Sequence, residues 1–374
     1  MTSPAASERV DLLVVGAGIV GLGHAVQALA RGARVAVVER DERAVGASIR
    51  NFGHCCITAQ TGEALGYALA ARSQWLRLAK EAGFWVRDAG TVVVARADDE
   101  YAVLEDLHRE RGDDVVLLDA RQVRRRAPLA DDTIVGGAWL PLDLRVDPRE
   151  ACRAIADWLA KQGVRFHWST SVLGIDGDTV RTNRGVLQAG KVVVAVGHDV
   201  DRLYPDIAEA HGLRRCSLHM LQLSGPVGTD IAPAVFTGWS MLHYDGFAVS
   251  PALERVRKRL GNINPDAAAA GLNLMVTQRP DGDLVVGDTH DYARTVDPFR
   301  AEQRDDLLLD ETRRLLGLTA VHVRQRWLGV YASAPAPFLT AAPTADLRIV
   351  SVTSGIGMTT GFGLAEQVVN DLLG

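Results

Sequence analysis

An α/β fold, a doubly wound parallel sheet carrying an inserted antiparallel α+β unit, is predicted by three observations. Two short apolar runs rich in β-branched residues flank a glycine-rich turn and a helix at the start of the chain. Strand-like and helical segments then alternate to about residue 212. From Leu213 onward the texture changes to strands joined by turns. Strand–helix alternation builds parallel sheets covered by helices, and hairpin-rich sequence builds antiparallel ones.

Size and composition narrow the function classes. With 374 residues, at roughly 150 per domain, two intertwined domains fit better than three independent ones. Hydrophobic residues at 47% and charged residues at 23% exclude a disordered or collagen-like chain. The net charge of −5 lacks the basic excess of a nucleic-acid binder. Cys55, Cys56, Cys152 and Cys216 form neither a disulfide scaffold nor paired metal knuckles, so no metal and a reducing, cytoplasmic setting are expected. The first ten residues lack a positive n-region. The apolar stretch 12–30 is broken by Gly16, Gly18, Gly21 and Gly23 and carries His24 and Gln27. Neither a targeting segment nor a transmembrane helix is expected.

The elements follow in order. Val10-Asp11-Leu12-Leu13-Val14-Val15 reads as a buried parallel strand. Residues 19–31 have helical length, with Gly32 as the stop, and 34–38 form a second strand ending at Glu39. A long helix is expected over 62–82 and a charged one over 98–111, between strands near 91–95 and 115–118. Asp147 caps a helix that Pro148 opens. Strands follow at 164–168, 171–176 and 191–196, then at 219–223, 247–250, 272–277 and 284–286. Pro280-Asp281-Gly282-Asp283 is the hairpin turn between the last two. A helix over 304–316, a strand over 347–352 and a helix from Gly361 to Leu373 close the chain. The stretch 335–343 is Ala/Pro-rich and too short for a linker domain. The basic runs 124–126 and 255–259 read as solvated helix faces.

Gly16-Ala17-Gly18-Ile19-Val20-Gly21 is a GxGxxG between a strand and a helix, the context that dinucleotide binding requires. The first glycine permits the turn, and the second lets backbone approach a pyrophosphate. The third allows close helix–strand packing, and the helix N-terminus offers N–H groups to phosphate. Glu39, at the end of the second strand, suits ribose hydroxyls and would repel a 2′-phosphate. A second complete GxGxxG is absent, so reoxidation by oxygen or another acceptor is expected rather than by a pyridine nucleotide.

Three further motifs decide between cofactors that share this element. Gly46-Ala47-Ser48-Ile49-Arg50-Asn51-Phe52-Gly53 resembles the GxSxRNxG loop of the D-amino-acid-oxidase-like flavoproteins, which include glycine and sarcosine oxidases. Val192-Val193-Val194-Ala195-Val196-Gly197 resembles that family's strand-and-glycine element. Ser354-Gly355-Ile356-Gly357-Met358-Thr359 resembles its C-terminal SGxGxT loop beside the flavin pyrimidine edge. The resemblance covers nearly the whole chain. It implies a Rossmann-type FAD domain from 1–85, 143–212 and 327–374, and a substrate domain from 86–142 and 213–326. It also implies cofactor contacts from Gly16, Gly18, Ile19, Val20, Gly21, Glu39, Arg40, Ser48, Arg50, Asn51, Gly53, Val172, Gly197, Gly355, Ile356, Gly357, Met358 and Thr359. The helix expected near Gly361 would aim its positive end at the flavin N1 region and stabilise charge there.

Trp327-Leu328-Gly329-Val330-Tyr331 resembles the family's WxGxR segment, whose arginine pairs with a substrate carboxylate. Tyr331 stands in its place and cannot form a bidentate ion pair. The stretch 329–331 also lacks the cysteine that tethers flavin in sarcosine-oxidase-like members, so non-covalent FAD is expected. His54, His243, Tyr244, His290 and Tyr331 are the candidate substrate contacts, with the three histidines and Tyr331 as donors to an anionic group. Cys55 and Cys56 follow the flavin loop, and a vicinal disulfide between them is disfavoured by a reducing compartment. Asn51-Phe52-Gly53, residues 219–226 and residues 330–335 resemble a clade associated with phosphonate utilisation. The expected reaction is therefore oxidation of a primary or N-methyl amine, an aminophosphonate by that resemblance, to an imine that hydrolyses. No motif names a general base. Two alternatives stand beside it: a 2-hydroxy acid or polyol dehydrogenase, and a redox sensor without catalysis.

Overall fold

The run Val10–Val15 forms the central strand of a parallel layer, and every residue but Asp11 is buried. It pairs in parallel with Val35–Val38 on one side and Gly185–Val194 on the other. Arg165–His167 and Leu347–Ser354 extend the layer at either end, again in parallel. Helices Ile19–Ala30, Gly62–Ala82, Pro148–Lys161 and Gly357–Leu373 cover one face around Trp75, Leu22 and Phe362. Each fully buried Leu or Phe there contributes about 1.5–3 kcal/mol. The computed structural model describes residues 9–130, 132–225 and 229–374. The N-terminal residues 1–8 and Pro226, the last residue of the 219–226 segment, lie outside the described residues.

The second half of the sheet is mostly antiparallel. Arg214–Leu223 pairs with Leu284–Ala293, which pairs with Met275–Gln278. Ala234–Phe236, Thr91–Ala95, Gly136–Leu140 and Val116–Asp119 complete it. One long strand, Val323–Thr344, joins the halves: its first part runs against Arg214–Leu223 and its second against Leu347–Ser354. The cleft between the halves therefore lies over a single hydrogen-bonded sheet. Among the described residues no helix is long and apolar enough to cross a membrane.

Several elements depart from the sequence reading. Residues 335–343 lie inside the strand Val323–Thr344, where Pro335, Pro337 and Pro343 hid it; proline withholds a ladder donor, and the register shifts between Ser333 and Phe338. The expected strand at 247–250 is the 3-10 turn Asp245–Val249, anchored by Gly246 N–H donating to the Ala59 carbonyl at 3.0 Å and by buried Phe247. The C-terminal helix starts at Gly357, one turn earlier than expected. Gly357, Thr359, Thr360 and Gly361 are weak helix formers, and packing against Gly62–Ala82 overrides them. The basic runs are not simply solvated: Arg259 pairs with Asp99 and Glu100, and Arg126 stacks 3.9 Å over Trp139.

Candidate active site

The tight turn after Val15 is made by Gly16 at φ +106°. Behind it, a Cβ at Gly21 would stand 2.0 Å from the Gly16 carbonyl oxygen, so the helix meets the loop with no room for a side chain. Ala17 N–H donates to Glu39 Oε2 at 2.8 Å, and Ile19 N–H donates to Ser48 Oγ at 2.8 Å. Glu39 and Ser48 thus stand directly at the positive end of the first helix. Beside Glu39, Arg40 is held by Asp199 at 2.6 Å. Asn51 braces its own loop, donating from Nδ2 to the Ala47 and Ser48 carbonyls and accepting from Gly53 N–H at 2.7 Å.

The C-terminal loop closes on the same loop. Thr359 Oγ1 accepts from Cys56 N–H at 3.2 Å, and the Met358 carbonyl accepts from Trp75 Nε1 at 2.8 Å. Cys55 and Cys56 are free, buried thiols; burial pushes Cys56 up to about 12. They pack against Met358 and Thr359 of the helix Gly357–Leu373, with no disulfide between them.

A single cavity of about 820 Å³ runs through these elements. It begins at Glu39 and Arg40, passes Gly16, Gly18, Ser48, Gly197 and the 355–359 loop, and ends at His243, Tyr244, His290 and Tyr331. Ile19, Val20, Arg50, Asn51, Val172, Ile356, Gly357 and Met358 also line it. Gly21 and Gly53 do not: a Cβ at Gly53 would stand 1.9 Å from the Val146 carbonyl oxygen, so its role is close packing. The volume of this cavity, the glycines that line it at a helix N-terminus and the Glu39 carboxylate at one end fit a dinucleotide.

At the far end the histidines do not serve as expected. His54 Nε2 lies 2.7 Å from Thr91 Oγ1 and 3.4 Å from Asp143, and its Nδ1 lies 3.2 Å from Met275 Sδ. His243 Nε2 donates to the Leu272 carbonyl at 3.0 Å, and burial lowers its pKa to about 3, so it is neutral. His290 Nδ1 donates to the Gly271 carbonyl at 2.9 Å, its ring stacked 4.5 Å from that of His243. A neutral imidazole that spends its N–H on a carbonyl keeps only an acceptor nitrogen. The expected role as donors to an anion is therefore corrected for His54 and His243: His54 is fully engaged, and neutral His243 keeps only an acceptor nitrogen, while His290 Nδ1 is committed to the Gly271 carbonyl. Tyr331 lies against Gly355, where a Cβ would be 3.1 Å from its ring. It contacts Cys216 and Tyr292, and burial pushes all three of these groups up, Cys216 and Tyr292 to about 12. The position where an arginine would sit is an uncharged cluster.

Three residues outside the motifs complete this end. Arg214, Asn273 and Asp288 all line the cavity. Arg214 stacks 4.5 Å over the Tyr292 ring. No spacing rule marks them; only the strand register could have suggested Arg214, which shares a face with Cys216.

A family model described as "FAD dependent oxidoreductase" matches residues 11–370. Glycine oxidase of Bacillus licheniformis is 27% identical over 203 residues, 51% of this chain and 54% of that protein. The matched region thus spans about half the length of that relative. The structure of glycine oxidase from Bacillus cereus superposes with a TM-score of 0.79 at 19% identity, covering 98% of this chain and 95% of that one. L-α-glycerophosphate oxidase from Mycoplasma pneumoniae, solved with FAD bound, superposes with a TM-score of 0.76 at 18% identity, covering 98% and 95%.

Proposed function

The chain belongs to the FAD-dependent oxidoreductase (DAO) family, and from that premise we propose that it oxidises a small amine at a CH–NH bond. The observation that carries this reading is the single cavity joining the dinucleotide cradle to a pocket lined by a buried carboxylate, Asp288, whose Oδ1 has no hydrogen-bond partner among the described residues. FAD, when bound, supplies the acceptor for two electrons from the substrate. Its phosphates are assigned to the Gly16–Gly18 turn and Ser48, its ribose to Glu39, and its ring to the 355–359 loop. In this reading the parallel half of the sheet holds the cofactor and the antiparallel half the substrate. The remaining work of the protein is to orient the substrate and exclude water.

The finer reading is an amine whose anionic group lies away from the nitrogen, an aminophosphonate. Tyr331 removes the fork that would clamp an α-carboxylate, and Arg214 supplies a guanidinium elsewhere on the same sheet face. Anaerobic addition of 2-aminoethylphosphonate or its N-methyl form to yellow, FAD-loaded protein should bleach it. Glycine, sarcosine and D-alanine should do so less efficiently. Equal or better kcat/KM for these amino acids would remove the phosphonate reading. Bleaching by glycolate alone would replace the amine reading with hydroxyl oxidation. Acid should release the FAD intact, and an oxygen electrode identifies the acceptor.

Tyr331→Phe tests the uncharged cluster. Its hydroxyl contributes one neutral hydrogen bond, so KM should rise by the equivalent of about 0.5–1.5 kcal/mol with the flavin content unchanged. A hundredfold loss would show that Tyr331 carries more than one hydrogen bond.

A further inference from the structure

Asp288 is 3% exposed, yet its Oδ1 has no hydrogen-bond partner among the described residues. The backbone around it is fixed: Asp288 N–H donates to the Asn273 carbonyl at 2.6 Å, and Asn273 N–H donates back at 2.8 Å. The nearest cation candidate, His290 Nδ1, is 3.8 Å away and directs its proton to the Gly271 carbonyl. Asn273, also 3% exposed, has an unpartnered Oδ1 as well. Both residues line the cavity beside Tyr244, His243, His290 and Tyr331. Two buried oxygens, Asp288 Oδ1 and Asn273 Oδ1, therefore lack a hydrogen-bond partner beside one pocket, although the Asn273 side chain also hydrogen-bonds the Asp288 carboxylate.

A buried carboxylate oxygen left without a donor is costly unless a cation or a further donor reaches it. Arg214 is set against Tyr292, and the phenols around Asp288 are already in contact with thiols or Asn273. Among the described residues no Arg or Lys reaches the Asp288 carboxylate, so what it lacks is a positively charged group with two or more N–H bonds. A primary or N-methyl ammonium supplies both. An alcohol supplies one O–H and no charge.

We propose that Asp288, with the Asn273 amide oxygen beside it, recognises the substrate nitrogen as an ammonium ion and sets the preference for amines over alcohols. This rests on the amine-oxidation reading for its substrate class. Burial pushes the Asp288 carboxyl up to about 6, which leaves the carboxylate dominant at neutral pH and ready for a cation. The role is specificity-determining and concerns binding; the bound ammonium must still lose one N–H proton before its CH–NH bond can be oxidised.

The test is an anaerobic titration of FAD-loaded protein with 2-aminoethylphosphonate and with 2-hydroxyethylphosphonate, followed by the visible spectrum and by calorimetry. Asp288→Asn keeps the shape and removes the charge. Its affinity for the amine should fall by about 30-fold or more, the loss expected when one partner of a buried charge pair is removed. Its affinity for the hydroxyl analogue should stay within about threefold of wild type, a band narrower than the loss of one ordinary hydrogen bond. Unchanged amine affinity in a folded, loaded variant would overturn the assignment while leaving amine oxidation intact. Amine binding that depends on Asp288 but causes no bleaching would do the reverse. If the variant does not accumulate, the wild type decides alone. Equal affinity for the two ligands, or for neither, overturns the assignment, and a preference of about 30-fold or more for the amine supports it.

Discussion

Gly18→Val should yield folded protein that carries no FAD, whereas Gly21→Ala should lose stability before it loses cofactor. The two glycines belong to one motif but answer to different neighbours. A Cβ at position 18 would meet only Ser48 Oγ, at 3.0 Å, and that hydroxyl can turn away. The polypeptide tolerates the change, but valine's branched side chain then stands at the cavity waist, on the helix N-terminus where pyrophosphate is expected. FAD binding should weaken at least about a hundredfold, the equivalent of about 2.7 kcal/mol. At position 21 the added carbon would stand 2.0 Å from the backbone oxygen of Gly16, which cannot turn away. Overpacking of this kind costs about 1–3 kcal/mol or more. Flavin-to-protein ratio and thermal unfolding of the apoprotein separate the two. Full flavin content in Gly18→Val would remove the pyrophosphate assignment, and an apoprotein as stable as wild type in Gly21→Ala would remove the packing argument.

That division explains what could be read from sequence. The half read as nucleotide-binding announces itself because that chemistry is done by backbone, and backbone demands leave local marks: glycines at fixed offsets, a β-branched strand before them, a carboxylate at the next strand end. The strand Val10–Val15, the helix Ile19–Ala30 and the Asp147–Pro148 helix start all carry such marks. The far end of the cavity is assembled by register instead. Arg214, Cys216, Tyr292 and Tyr331 meet because Cys216 lies opposite both tyrosines in adjacent pairs of strands, and no spacing along the chain encodes that pairing. Asp288 belongs to no motif; its meaning comes from burial and from an Oδ1 without a hydrogen-bond partner among the described residues. The histidines misled for the complementary reason. Their residue type suggested donors, but the carbonyls of Leu272 and Gly271 take their protons. The strand Val323–Thr344 was hidden by its prolines, although it is the element that joins the two halves.

Arg214→Gln should raise KM for anionic amines about tenfold and leave kcat and the KM of an uncharged amine nearly unchanged. The neighbouring Arg215 is committed to Asp199 and Asp201, at 3.3 and 2.8 Å. Arg214 points to the other sheet face by strand alternation, lines the cavity, and has no carboxylate partner among the described residues. Its guanidinium lies over the Tyr292 ring, which fixes its plane without using its N–H fork. A phosphonate or carboxylate can accept that fork in two parallel bonds. One such charge-assisted interaction is worth about 1.5–3 kcal/mol, and exposure to water at the cavity mouth places the expected effect at the low end. Because the site is exposed, added salt should erode the wild-type preference for anionic amines and do little to the variant. With Asp288 at one end and Arg214 at the other, the pocket would read a zwitterion whose charges are held apart. The α-amino acids, with both charges on one carbon, would satisfy only one end. Steady-state kinetics on 2-aminoethylphosphonate, glycine and ethylamine with both proteins decides the matter: an equal rise in KM for ethylamine, or no rise for the phosphonate, would show that Arg214 is not the anion's partner.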